Sequence, residues 1–158
     1  MLQFTAPQHR VKGFTLLELL IALAVAGILA ALVAPPFSGF LARQQLRSDL
    51  NEVVSVLSFA RSEAIKRRAD VTVDIDSSGD TWNIGVSFGS PSETLRVANG
   101  RQQAVTLTGI SQVVFNSLGA MESCSTSDCQ LELNHSRLGD DKTEVVTISP
   151  AGGVRREG

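Results

Sequence analysis

From Phe14 to Ala34 the chain reads FTLLELLIALAVAGILAALVA, 21 residues in which Glu18 is the only charge. As a helix rising 1.5 Å per residue this run is about 30 Å long, one hydrocarbon thickness. A buried core helix of a small domain would be shorter or polar along one face. A secretory signal peptide would carry basic residues, an apolar stretch of about 7–15 residues and a small-residue cut site. Leu32-Val33-Ala34 resembles such a site, but the run is too long and holds a carboxylate near its start. A plain membrane anchor has no use for Glu18, since a lone acid at the centre of a membrane helix costs about 2.5–3.5 kcal/mol on insertion scales. Such a group is a functional candidate.

The length of 158 residues allows one small domain beside this segment. With 43% hydrophobic and 19% charged residues the composition is ordinary, but the apolar residues crowd toward the N-terminus. The formal net charge is -2; removal of residues 1–13, which hold Arg10 and Lys12, leaves 12 basic against 16 acidic groups, or -4. Such a chain has no bulk attraction for nucleic acid or anionic lipid, so any contact with either is local.

Gly13-Phe14-Thr15-Leu16-Leu17-Glu18 resembles the prepilin signature of type IV pilins and type II secretion pseudopilins. The resemblance implies that residues 1–13 are a leader, that a prepilin peptidase cuts after Gly13, and that Phe14 becomes the N-methylated terminus. Glu18 then stands fifth in the mature chain, the family's position for the assembly carboxylate. Pro35 falls where pilins carry a helix-perturbing proline, and Pro36 extends the expected helix break. A new α-amine has an ordinary pKa of about 7.7–8.0 and is largely protonated at neutral pH. Pairing with it in a low dielectric would relieve the unpaired carboxylate. The resemblance favours a neighbouring subunit's amine.

After Pro36 the pattern turns amphipathic, predicting a helix over roughly 38–68. Leu46, Leu50, Val53, Val54, Leu57, Ala60, Ala64 and Ile65 share a face, while Arg43, Arg47, Asp49, Glu52, Arg61 and Glu63 lie mostly off it. Lys66, Arg67 and Arg68 close the helix, where positive charge favours the dipole. Beyond Ala69 the sequence reads as β. Runs 71–75 and 82–88 flank an Asp76–Asp80 turn, and shorter runs follow at 94–97, 104–108, 112–116, 130–133 and 145–149. These predict an α+β, type IV pilin-like fold, with the long N-terminal helix against a four- to seven-stranded, mainly antiparallel sheet. The expected organisation is a leader over 1–13, a transmembrane and filament-core segment over 14–36, and an amphipathic helix with an αβ domain over 37–158.

Ala60-Arg61-Ser62-Glu63-Ala64-Ile65, Val71-Thr72-Val73, Trp82, Gly85, Phe115, Gly119 and Val146-Thr147-Ile148-Ser149-Pro150-Ala151-Gly152 resemble the GspH/FimT family of minor pilins and pseudopilins. DNA-binding members share a Gly-Arg-x-Arg ending. Here Gly152-Gly153-Val154-Arg155 has glycine at the first arginine position. Candidate DNA contacts are Arg155 and Arg156, with Lys66, Arg67 and Arg68 if the fold brings them near. The acidic balance and Glu157 oppose this reading.

Cys124 and Cys129 are the only cysteines. With the C-terminal domain outside the membrane they meet an oxidising compartment and are expected to form a disulfide, contributing roughly 2 kcal/mol and pinning a local hairpin. Two thiols with His135 as the nearest histidine make a poor metal site. Asp74-x-Asp76-x-Ser78-Gly79 starts like a calcium loop, and some pseudopilins bind calcium. Gly85 occupies the twelfth position, where an EF-hand needs an acid, so a polar turn is the better reading. His135 reads as a surface loop residue. No cofactor, metal site or catalytic constellation is expected, and the chain does not read as an enzyme.

The sequence therefore points to a structural minor pilin of a type IV pilus, with a type II secretion pseudopilin as the alternative and a DNA-binding tip subunit as the second. Expected partners are prepilin peptidase, other pilins or pseudopilins and an inner-membrane assembly platform. The expected location is the inner membrane, crossed once, with the C-terminal domain in the periplasm.

Overall fold

The computed structural model describes residues 14–79, 81–101, 104–139 and 142–157, without the side chains of 31–36. The chain divides into two units, Met1–Ser38 and Gly39–Gly158. Helix α1 is assigned over Leu16–Arg67 and thus enters both. The backbone stays helical at Pro35 and Pro36, which corrects the expected helix break. A proline removes one ladder hydrogen bond and crowds the preceding turn, a loss that a helix can absorb by bending rather than ending.

In the first unit the described side chains of α1 are apolar around most of the helix and exposed. Leu16 is 76% exposed, Leu23 61% and Ile28 64%. Among the described residues no helix is long and apolar enough to cross a membrane.

In the second unit α1 buries Ala42, Leu46, Leu50, Val53, Val56, Leu57, Ala60 and Ala64, at spacings of three and four. Full burial of a leucine such as Leu50 or Leu57 is worth about 1.5–3 kcal/mol. Ile65, expected on this face, is instead exposed, whereas Asp49 and Glu63 are buried. Both acids are accommodated by donors: the Trp82 indole for Asp49, and Lys66 with Arg67 for Glu63. The helix ends in a Schellman arrangement. Arg68 takes φ 55°, its N–H donates to Ile65 O at 3.3 Å, and Ala69 N–H donates to Ala64 O at 3.2 Å.

The described residues form nine strands: β1 (Val71–Asp76), β2 (Asn83–Phe88), β3 (Glu93–Asn99), β4 (Val105–Gly109), β5 (Gln112–Phe115), β6 (Met121–Cys124), β7 (Gln130–His135), β8 (Glu144–Ile148) and β9 (Val154–Glu157). They make two antiparallel sheets, ordered β3-β2-β1-β5-β6 and β4-β7-β8-β9, in place of the single sheet of four to seven strands expected. β6 and β9 are the strands that the sequence reading did not include. Their residues, MESC and VRRE, lack an apolar-polar alternation, and both lie at sheet edges. The inward residues of both sheets, among them Val71, Val73, Ile84 and Phe115 from the first and Leu107, Leu131, Leu133 and Val146 from the second, join the helix in one core.

The two sheets meet at β6. Cys124 at its end is bonded to Cys129 just ahead of β7, so the disulfide joins one sheet to the other rather than pinning a local hairpin. Nearby, Met121 N–H donates to Pro150 O at 3.1 Å, drawing the β8–β9 turn onto β6. Arg61 of α1 clasps both turns, donating from Nε to Gly119 O at 2.9 Å and from Nη2 to Ala151 O at 3.3 Å. Gly119 and Gly152 both have φ 75°, a conformation in which a Cβ is strained. A Cβ on Gly152 would also collide with the Gly119 carbonyl, and one on Gly119 would meet Ile65 Cδ1 at 2.6 Å.

Gly139 shares the positive φ, at 70°, but has open space around it. Gly139→Ala should therefore cost only the backbone term, about 1–2 kcal/mol. Gly152→Ala should cost about 2–4 kcal/mol, because the turn must also leave the Gly119 carbonyl. Urea unfolding followed by fluorescence of Trp82, the only tryptophan, measures both. Equal costs would show that the docking of the two turns adds nothing.

Candidate functional site

The N-terminal candidates start where α1 starts. Gly13 lies outside the described residues, as do residues 1–12, while Phe14 is 89% exposed immediately before the helix. Thr15 and Glu18 form a reciprocal capping box. Glu18 N–H donates to Thr15 Oγ1 at 3.2 Å, and Thr15 N–H donates to Glu18 Oε2 at 3.1 Å. The Thr15 hydroxyl lies 3.2 Å from the same carboxylate oxygen. Glu18 therefore satisfies orphan donors of its own helix start, a role that the spacing Thr-x-x-Glu shows in the sequence but that the sequence reading missed.

The basic candidates do not form one surface. Lys66 Nζ and Arg67 Nε pair with Glu63 at 3.1 and 2.9 Å, and the Arg67 guanidinium lies 4.9 Å from the centroid of the Phe88 ring. These donors hold the Glu63 carboxyl below its ordinary range, with Arg67 the larger influence. Arg155 and Arg156 are exposed on the edge strand β9, and Arg156 Nη1 donates to Asn51 Oδ1 at 3.1 Å. Asn51 and Lys66 are separated by about 22 Å of helical rise. The fold thus leaves Arg156 beside the middle of the helix and Lys66, Arg67 and Arg68 at its end.

Two buried polar groups escaped the sequence reading. Trp82 Nε1–H donates to Asp49 Oδ2 at 3.0 Å, and burial raises the Asp49 pKa against the lowering influence of that bond. His135, expected on a surface loop, is buried at the end of β7. Its Nδ1 accepts the Arg137 N–H at 3.1 Å, which leaves Nε2 to donate to Gln45 Oε1 at 2.9 Å. Burial and then the Arg137 charge lower its pKa, favouring the neutral ring. In the former calcium candidate, Asp76 Oδ1 accepts the Ser78 N–H at 2.8 Å and hydroxyl at 2.7 Å, while Asp74 Oδ1 accepts from Gln112. Those oxygens organise the hairpin and its neighbour.

A long helix with a capped N-terminus, carried into a core shared with antiparallel sheets, defines the pilin class. The chain belongs to the family described as type II transport protein GspH, whose model matches residues 49–152, and the prokaryotic N-terminal methylation motif matches residues 8–34. A fimbrial protein of Pseudomonas aeruginosa is 30% identical over 138 residues, covering 87% of this chain and 78% of that protein. The fimbrial protein EcpC of Eikenella corrodens is 48% identical over 40 residues, covering 25% of this chain and 26% of its own. The crystal structure of the Pseudomonas aeruginosa type IV minor pilin FimU superposes with TM-score 0.62 over 75% of this chain and 92% of that one. At 23% identity that likeness speaks for the fold. The protein is accordingly a structural, non-enzymatic pilin that interacts with other pilins.

The Asp49–Trp82 pair gives a pH test. Because the folded-state pKa of Asp49 is raised, its contribution is full below the unfolded value, near 3.8, and is lost as pH rises through the folded value. Asp49→Asn keeps an acceptor for the indole and cannot ionise. Its urea midpoint relative to the wild type should improve between pH 3 and pH 7; parallel profiles would mean that Asp49 does not titrate abnormally.

Proposed function

We propose that this chain is a minor structural subunit of a type IV pilus, made with residues 1–13 as a leader, cut after Gly13 and methylated on Phe14. Residues 14–36 are its membrane and filament-core segment, and residues 37–158 stand in the periplasm until assembly. The observation that carries the reading is the joint match of the methylation motif to residues 8–34 and of the GspH family to residues 49–152 in one chain. The fimbrial relative and the FimU-like fold support the pilus as the machine. The family's own description, a type II transport protein, supports the pseudopilus as the second reading.

In this reading prepilin peptidase and an inner-membrane assembly platform act on the subunit before it joins other pilins. Glu18 sets its register by accepting the Phe14 α-amine of a neighbour. The capping box supports such a division of the carboxylate, since Oε2 takes both Thr15 donors and, among the described residues, Oε1 is left for a second donor. DNA uptake has less support, because the basic candidates lie in two groups and Lys66 and Arg67 already pair with Glu63.

Processing is checked by intact mass of the membrane-extracted protein, which should equal residues 14–158 plus one methyl group. A mature terminus at Pro35, or an uncut chain, would remove the basis of the proposal. For assembly, Glu18→Ala should insert at least as well as the wild type, having lost a carboxylate from the membrane segment. Filaments from a strain relying on this variant should be few or absent by electron microscopy; normal piliation would discard the pairing role of Glu18.

A further inference from the structure

We propose that the groove between the first turns of α1 in the second unit and the segment leading into β8 binds a phosphate-bearing anion. The groove has a volume of about 330 Å³, the size of a small-molecule site. Arg43, Leu46 and Arg47 line it from the helix, and Leu138, Lys142 and Glu144 from the segment leading into β8. Leu46 is buried and Leu138 half-buried, so the lining combines cations with apolar side chains.

Among the described residues that line the groove three are cations and one, Glu144, is an acid. Several other cations of this unit are engaged: Lys66 and Arg67 by Glu63, Arg96 by Glu52, Arg61 by two carbonyls, Arg156 by Asn51. Among the described residues no carboxylate forms an ion pair with Arg43, Arg47 or Lys142. Arg43 and Arg47 are four residues apart on one helix, a like-charge spacing that disfavours the helix unless an anion bridges it. Two guanidinium forks and an ammonium suit a tetrahedral oxyanion, since arginine binds phosphate through paired N–H groups and lysine adds a point charge. The leucines suit the glycerol end of an organophosphate. Arg43 stands nine positions beyond Ala34, the last residue of the apolar run, so a phospholipid headgroup and free phosphate are the two sources of this chemistry.

The mature full-length protein, extracted in a non-ionic detergent, provides the test. Its thermal midpoint is read against potassium phosphate with potassium chloride at matched ionic strength, and phosphatidylglycerol retention is read against phosphatidylcholine by native mass spectrometry. A rise with phosphate, retention of phosphatidylglycerol, or both supports the proposal and identifies the source. The effect should weaken roughly tenfold or more in Arg43→Gln/Arg47→Gln and persist in Arg155→Gln/Arg156→Gln, as loss of charge-assisted contacts at one site requires. Glu144→Gln, which removes the wall's acid, should bind more tightly and keeps the test informative if the double variant folds poorly. Equal response to phosphate and chloride together with equal retention of the two lipids would overturn the proposal. So would unchanged binding in the double variant, or duplex-DNA retardation that depends on Arg43 and Arg47 without any phosphate or lipid effect.

Discussion

The second unit is held together where one guanidinium reaches two turns. Arg61 leaves α1 and donates to Gly119 O and Ala151 O, carbonyls of turns that belong to different sheets. A planar donor of fixed charge can satisfy both oxygens without requiring either turn to change its own hydrogen bonds. The turns must come close for this to happen, and that demand falls on Gly119 and Gly152, each at φ 75°. The disulfide at β6 adds a covalent tie beside the same junction. Helix, first sheet and second sheet thus share a core because their loops are fastened at one place, in addition to the burial of apolar side chains.

The first unit is organised differently. Its described leucines and isoleucines are exposed, and the polar atoms at its start are used on one another through Thr15 and Glu18. A capping box matters most where water is scarce, since uncapped N–H groups at a helix start have no other acceptor. The carboxylate thereby has two uses, one for its own helix and, in the proposed assembly, one for a neighbour. The same residue explains why the segment resists assignment to an ordinary anchor.

Much of this architecture is legible in the residues, and the parts that are not have physical reasons. Val71, Val73 and Ile75 alternate with polar partners because β1 has a buried face and an exposed one. The i, i+3, i+4 series from Leu46 to Ala64 reveals the helix for the corresponding reason. β9 has no comparable series: its arginines and glutamate are exposed, and its register comes from pairing with β8. β6 is placed by its neighbours too, through β5 and the disulfide. The cysteines announce a bond, but a separation of five residues suggests a local loop, and only the strand order shows that the loop crosses between sheets. Asp49 and His135 carry polar symbols that suggest surface; their burial depends on Trp82 and Gln45, 33 and 90 residues away.

The sheet edges have a further consequence for a subunit that polymerises. An open edge invites another strand, and a protein meant to stack through its helix would be spoiled by growth through its sheets. Here β9 presents Arg155, Arg156 and Glu157, β3 presents Glu93 and Arg96, and β6 is short and tied down by Cys124. Another strand arriving at these edges would have to desolvate charged side chains or find only a short, covalently tied strand. Three of the four sheet ends therefore discourage growth by strand addition, and β4, without a charged residue, is the one edge that lacks such a guard.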